Sequence, residues 1–244
     1  MQITSAMKMV SAAKLKKAQD AITAMRPYAD KLTELLQGLS ASLEGDGGSV
    51  FAENRPVKKV LVVAITSNRG LCGAFNSNII KQSNNLVAET YAGKQVDFLT
   101  IGKKGNDILQ KKNTIVANHS TVFDDLTFEN VAEIAEFLME QFTVGNYDKI
   151  ELVYNKFKNA ATQIVMTEQF LPIVSMEGEA ASAADYIFEP SKVEIVQQLI
   201  PKSLKTQLYK AIRDSFASEH GARMTAMHKA TDNAAELKAQ LTLT

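Results

Sequence analysis

The chain has 244 residues, 45% hydrophobic and 22% charged, with 27 Lys plus Arg balanced by 27 Asp plus Glu; it can bury one substantial core or two modest ones, and no global field draws it to nucleic acid or to an anionic bilayer. The single cysteine, Cys72, excludes an internal disulfide and a cysteine-based zinc cluster and suits a reducing compartment. The longest aliphatic run, Val60–Ile65, is far short of the roughly 20 residues that cross a bilayer, so membrane association is expected to be peripheral.

From the start of the chain, apolar residues at Ile3, Met7, Val10, Ala18, Ile22, Met25, Leu32, Leu36, Leu39 and Leu43 recur mostly at steps of three, four and seven. That period predicts one long helix ending near Glu44, ahead of Gly45, Gly47 and Gly48. Pro27 predicts a bend near Met25 rather than a stop, because the pattern resumes at once. At 1.5 Å per residue the helix reaches on the order of 60 Å, so it must project or lie along a partner. Lys8, Lys14, Lys16, Lys17, Arg26 and Lys31 outnumber Asp20 and Asp30 along it. This is either a solvated face or a basic collar that meets an acidic surface; nucleic acid fits less well, since no aromatic residues interleave to stack on bases.

The period then changes. Val60–Ile65 and Val96–Ile101 read as buried strands, with a helix at Asn78–Tyr91 between them. A short helix at 103–110, a strand at 114–117 and an amphipathic helix at 128–142 follow, the last with Thr127 as N-cap. Strands at 149–157 and 162–170, separated by Lys158–Ala161, suggest a hairpin. The sum is α/β: a Rossmann-like, mostly parallel sheet with an antiparallel edge, inserted between two long terminal helices. Residues 175–185 are the best linker, Tyr186–Pro190 a short extended piece, and Pro201 is expected to separate a small helix, Val193–Ile200, from the long last one. The organisation is thus a first helix over 1–44, an α/β domain over 57–172, a linker and extended piece over 173–190, and a terminal helical region over 191–244.

In that last region Ala222, Ala226, Ala230 and Ala234 recur every fourth residue, a row of small side chains that invites another helix. The first helix offers Ala6, Ala13, Ala18 and Ala21, so an antiparallel coiled coil of the two chain ends is expected. Glu219 and Arg223 are also four apart and can present a paired acid and base to a partner.

Candidate chemistry is sparse. The loop Thr66–Asn76 holds Gly70 and Gly73 but neither the dinucleotide glycine triplet nor the Lys-Ser/Thr ending of a phosphate loop; a tight turn needing positive φ at Gly70 or Gly73 is the plainer reading. Cys72 in this loop could act as a nucleophile with His119 as base, or be a small buried apolar residue. His220 and His228, eight apart, are too distant to share a metal and read as helix-surface residues. Neither a metal site nor a cofactor is indicated.

Three stretches resemble the γ subunit of F-type ATP synthases: ITSAMKMVSAAKLKKAQ at Ile3–Gln19, SNRGLCGAFN at Ser67–Asn76 and SEHGARMTAMHKATDNAAEL at Ser218–Leu237. The resemblance covers essentially the whole chain. It implies a rotor-shaft subunit whose terminal helices turn inside a ring of catalytic and non-catalytic subunits. Its α/β domain would sit as a foot on the membrane rotor ring, coupling proton flow to ATP synthesis without itself binding ATP, peripherally on the cytoplasmic face of a bacterial inner membrane. On the same basis Met7 and Lys8 would meet the acidic lever loops of the catalytic subunits, and Glu219 and Arg223 would face outward to a catalytic subunit. Tyr186 and Glu189 would meet the rotor ring, and the loop with Gly70, Cys72 and Gly73 would lie near the ε subunit. The chloroplast family members' cysteine-bearing insertion has no counterpart, so thiol control is not expected. The family's first helix starts before Ile3 and its last continues beyond Thr244, so the extreme ends of both helices are expected to be lacking.

Overall fold

The computed structural model describes residues 2–40, 50–173 and 192–243. Two long helices, α1 (Gln2–Ser40) and α5 (Lys192–Leu243), flank a five-stranded α/β domain. Its strands are β1 (Lys59–Ile65), β2 (Gln95–Ile101), β3 (Ile115–Asn118), β4 (Lys149–Phe157) and β5 (Gln163–Leu171), and its helices α2 (Phe75–Asn85), α3 (Lys103–Leu109) and α4 (Phe128–Thr143). A π-helical turn, Leu86–Thr90, extends α2, so the helix expected at 78–91 begins earlier and ends in a wider turn.

The sheet order is β3-β2-β1-β4-β5. The first four strands are mutually parallel and β5 is antiparallel to β4, in the register Tyr154↔Met166. The α/β class and the hairpin edge are as expected. β1 is apolar throughout because both its faces are covered: Leu61, Val63 and Ile65 pack towards α4 and α5, while Val60, Val62 and Ala64 pack towards Ile79 and Leu86. Thr127 caps α4, its hydroxyl accepting the Asn130 N–H at 3.3 Å. Thr127→Ala is expected to cost about 1 kcal/mol, readable as a lowered urea midpoint.

α1 and α5 pack antiparallel, with Asp30 bonded to Lys210 at one end and Thr4 to Thr231 at the other. The buried seam of α1 is Ser11, Leu15, Ala18, Ile22, Ala29 and Leu32; its steps of four, three and seven are those of a left-handed coiled coil. Several details differ from the sequence reading. Ile3 and Val10 are exposed, and Ala6 and Ala13 lie outside the seam, because a seven-residue repeat drifts around a straight helix and only one phase faces α5. The alanine row of α5 is half-covered at all four positions. The close approach is made instead by Gly221, where an added Cβ would lie 3.1 Å from both Cα and O of Ala160 in the β4–β5 hairpin.

Neither proline ends its helix. Pro27 lies inside α1, and Pro201 lies inside α5, so Val193–Ile200 is the first part of the long helix and not a separate one. Ile200 and Leu204 flank Pro201 and are both 2% exposed, in the core with Leu171; their burial, at about 1.5–3 kcal/mol each, offsets the missing hydrogen bond. The end of the first helix near Glu44, the linker at 175–185 and the extended piece with Tyr186 and Glu189 lie outside the described residues.

Candidate functional site: the junction of the helical pair with the sheet

An open parallel sheet has a crevice beyond the carboxyl ends of its strands, at the point where the chain departs in opposite directions from neighbouring strands. Here that point lies between β1 and β4, since β2 continues on one side of β1 and β4 lies on the other. α5 runs up to it. Gln207 donates to the Gln169 carbonyl near the far end of β5, Ser218 to the Asn155 carbonyl at 3.0 Å near the carboxyl end of β4, and Thr225 to the hairpin carbonyl of Ala160 at 3.2 Å. Arg223 crosses beyond β1, where Nη2 donates to the carbonyls of Arg69 at 3.1 Å and Gly70 at 3.2 Å while Nη1 is held by Glu219. At the edge that receives ligands in other doubly wound folds, the loop after β1 is thus bonded by a side chain of the chain's own helix.

Glu219 and Arg223 are 8% and 7% exposed; they are brought together as expected but face inward to the loop, correcting the outward orientation. The physical reason is the seam. The 3.6-residue period that puts Ala217 against α1 places positions 219 and 223 over the sheet. Burial pushes the Glu219 carboxyl up, opposed by the Arg223 guanidinium.

The loop after β1 is braced from within. Ser67 Oγ donates to the Arg69 carbonyl at 2.6 Å, the Ser67 N–H donates to Asn76 Oδ1 at 2.9 Å, and the Asn76 amide donates to the Cys72 sulfur at 3.3 Å. Asn68 ties the loop to Ser120 and to the Lys103 N–H. Positive φ occurs at Gly73, one of the two glycines named for it, and also at Leu71. Leu71 sits at +61° and is 66% exposed, a conformation costing roughly 1–2 kcal/mol for a residue with a Cβ. A leucine at that position gives no sequence signal for a left-handed turn.

Cys72 is 1% exposed, and burial pushes its thiol up. Its sulfur meets Ser67, Arg69 and Asn76, whereas His119 lies beyond β3 against Phe137, in a small pocket of about 280 Å³ with Thr121, Asn130 and Glu133. The structure therefore does not assemble the nucleophile and base. No cluster of three or more metal-ligating side chains occurs among the described residues.

His220 was expected on the helix surface and is instead buried, edge-on to Phe216 with ring centroids 4.5 Å apart and both nitrogens without a partner. Desolvation, aided by the nearby Arg223 and Lys14, pushes its pKa down to about 4. Between that value and the ordinary value of 6.5 the unfolded chain binds a proton that the folded chain does not. The stability that neutral His220 permits is thus present above the unfolded pKa and is lost as pH falls through this window. His220→Phe is expected to flatten the pH dependence of the melting temperature between pH 7 and 4. His228 is exposed and pairs with Asp232 at 3.1 Å.

Sequence reading missed Arg26. Counted there with the collar, it turns inward: Nη2 donates to Asp214 Oδ1 at 3.0 Å and to the Phe157 carbonyl at 3.1 Å. Asp214 is wholly buried. Its spacing from Arg26, 188 residues along the chain, leaves no local pattern to find. Met7 and Lys8 are half-covered on α1, whereas Lys14, Lys16 and Lys17 are exposed.

The ATP synthase family (ATP-synt) matches residues 1–244. The ATP synthase gamma chain of Flavobacterium johnsoniae is 73% identical over 245 residues, covering all of this chain and 85% of the relative, and that of Cytophaga hutchinsonii is 51% identical over 252 residues with the same coverage. Among solved structures, a chain of the central stalk and c-ring of Tetrahymena thermophila mitochondrial ATP synthase superposes with a TM-score of 0.68 at 27% identity, over 94% of this chain and 99% of that one. A chain of the Euglena gracilis ATP synthase rotor, 17% identical with a TM-score of 0.56, shares the fold. Two antiparallel helices rooted by Arg223 and Arg26 in a parallel sheet, together with these likenesses, place the chain in the gamma-chain family of ATP synthase, the central-stalk rotor subunit.

Proposed function

We propose that this chain is the non-catalytic shaft of a proton-translocating ATP synthase, transmitting rotation of the membrane ring to the catalytic subunits without binding nucleotide itself. The observation that carries this reading is the way the helical pair is mounted: at the edge where a doubly wound sheet would hold a nucleotide, Arg223 of α5 bonds the carbonyls of the loop after β1. The sheet domain is in this way made into a mount for a rod. α5 has 52 residues, about 78 Å at 1.5 Å per residue, longer than the domain that anchors it.

On this reading Met7 and Lys8, with the exposed Lys14, Lys16 and Lys17, form the basic collar that meets acidic loops of the catalytic subunits. Glu219 and Arg223 act indirectly, by fixing the Gly70, Cys72 and Gly73 loop that a neighbouring subunit such as ε would contact. Tyr186 and Glu189 are assigned to the rotor ring. No described helix is long and apolar enough to cross a membrane, and the position assigned is peripheral, on the cytoplasmic face of the bacterial inner membrane.

Mixing the chain with the catalytic and non-catalytic ring subunits is expected to give a stoichiometric complex on gel filtration. Failure to co-purify would sink the reading. A second reading, an α/β enzyme using the Cys72 loop, predicts that Cys72→Ala abolishes an activity; we expect this variant to assemble and support ATP turnover as the parent does.

A further inference from the structure

We propose that Arg26 is the torsional anchor of α1, fixing the rotation of that helix about its own axis relative to the sheet domain and so positioning the collar; the inference rests on the rotor-shaft reading above. α5 is bonded to the sheet domain at several points along its middle, through Gln207, Arg213, Ser218, Arg223 and Thr225. α1 is held differently. Its middle packs through Leu15, Ala18 and Ile22 against Ala217 and Phe157; these contacts choose the face of α1 that is buried, but apolar contact carries no fixed donor direction to hold the exact angle. The bonds of Asp30 to Lys210 and of Thr4 to Thr231 reach α5 alone.

Arg26 differs from both. One guanidinium bonds Asp214 on α5 and the Phe157 carbonyl at the end of β4, so it joins all three bodies at one point. A planar fork with fixed donor directions sets an angle where a flexible ammonium would set only a distance. Asp214 has no exposed surface, so its carboxylate is held by the guanidinium without competition from water on its own side. Lys8 is eighteen positions earlier on the same helix, roughly 27 Å away along the axis. A sideways load on the collar is therefore resisted at the anchor.

The test uses the assembled complex with a bead on the sheet domain and the collar cross-linked to a catalytic subunit. Two variants separate mechanics from folding. Arg26→Met combined with Asp214→Leu removes the bonds without leaving a buried charge, and such replacements of buried ion pairs commonly keep stability. Arg26→Lys keeps the charge and loses the fork. The expected result for the double variant is normal assembly, parental ATP hydrolysis before cross-linking, and after cross-linking a loss of torsional stiffness, read as a wider angular distribution of the bead. Arg26→Lys is expected to fall between it and the parent. Unchanged angular width in the double variant would overturn the proposal. If that variant does not assemble, parental width in Arg26→Lys overturns it equally. Failure of the parent chain to assemble contradicts the rotor-shaft reading instead.

Discussion

Arg26→Met alone is expected to lower the unfolding free energy by about 3–5 kcal/mol near neutral pH, the usual consequence of removing one partner of a buried ion pair. The two partners are unequal. The Arg26 side chain is 37% exposed and could return to water, whereas Asp214 is 0% exposed and would keep only the more distant attraction of Lys210. One of its oxygens already has no partner, and desolvation holds its carboxyl above the ordinary range even with Arg26 beside it. Without the guanidinium the carboxyl rises further. A carboxyl whose folded pKa is raised favours the folded state below its unfolded pKa and loses that contribution as pH rises through the folded value. The deficit of Arg26→Met should therefore be small in acid and grow towards neutrality. Urea midpoints at pH 5 and pH 8 read this directly. Adding Asp214→Asn should recover part of the loss at pH 8, and a deficit independent of pH would show that packing, not charge, is what Arg26 supplies.

The second large effect belongs to Gly102, which joins β2 to α3 with φ at +110°. A Cβ there would stand 2.2 Å from the Thr66 carbonyl oxygen and 2.7 Å from its hydroxyl. Neither neighbour can yield. The Thr66 hydroxyl accepts the Gly105 N–H at 2.9 Å, and the Thr66 N–H donates to the Ile101 carbonyl at 2.7 Å, so moving Thr66 breaks the lateral tie between β1 and β2 at the mouth of the crevice. Backbone strain of roughly 1–3 kcal/mol adds to about 1–3 kcal/mol for a buried group left without its bond. Gly102→Ala is thus expected to cost roughly 3 kcal/mol or more, with a melting temperature many degrees lower. A near-parental melting curve would contradict this account of the junction.

The sequence made the strands legible wherever burial was two-sided. Val60–Ile65 is apolar at every position, and it is the central β1. Thr127, Lys158–Ala161 and the helix at 128–142 were equally readable because caps, hairpins and amphipathic periods are local signals. What escaped was geometry fixed by distant parts of the chain. The period of α1 gives a helix but not its phase: Ile3 and Val10 belong to the apolar period yet lie exposed, while the seam passes through Ser11 and Leu15. Pro201 looked like a boundary because the burial of Ile200 and Leu204 that sustains the helix depends on Leu171, far away in sequence. At the site, the pairing of Glu219 with Arg223 was legible from their spacing. Their direction was not, since only the position of the β1 loop makes the inward face the better place for a guanidinium. Arg26 and Asp214 were invisible as a pair for the same reason.

The central claim is that this chain turns as a shaft while its neighbours do the chemistry. The most direct measurement assembles it with the catalytic and non-catalytic ring subunits fixed to a surface, with a bead attached through Asn84→Cys, an exposed position on α2. Addition of ATP should drive the bead in one direction around the axis of the helical pair. A complex that assembles and hydrolyses ATP while the bead shows only undirected fluctuation would contradict the account.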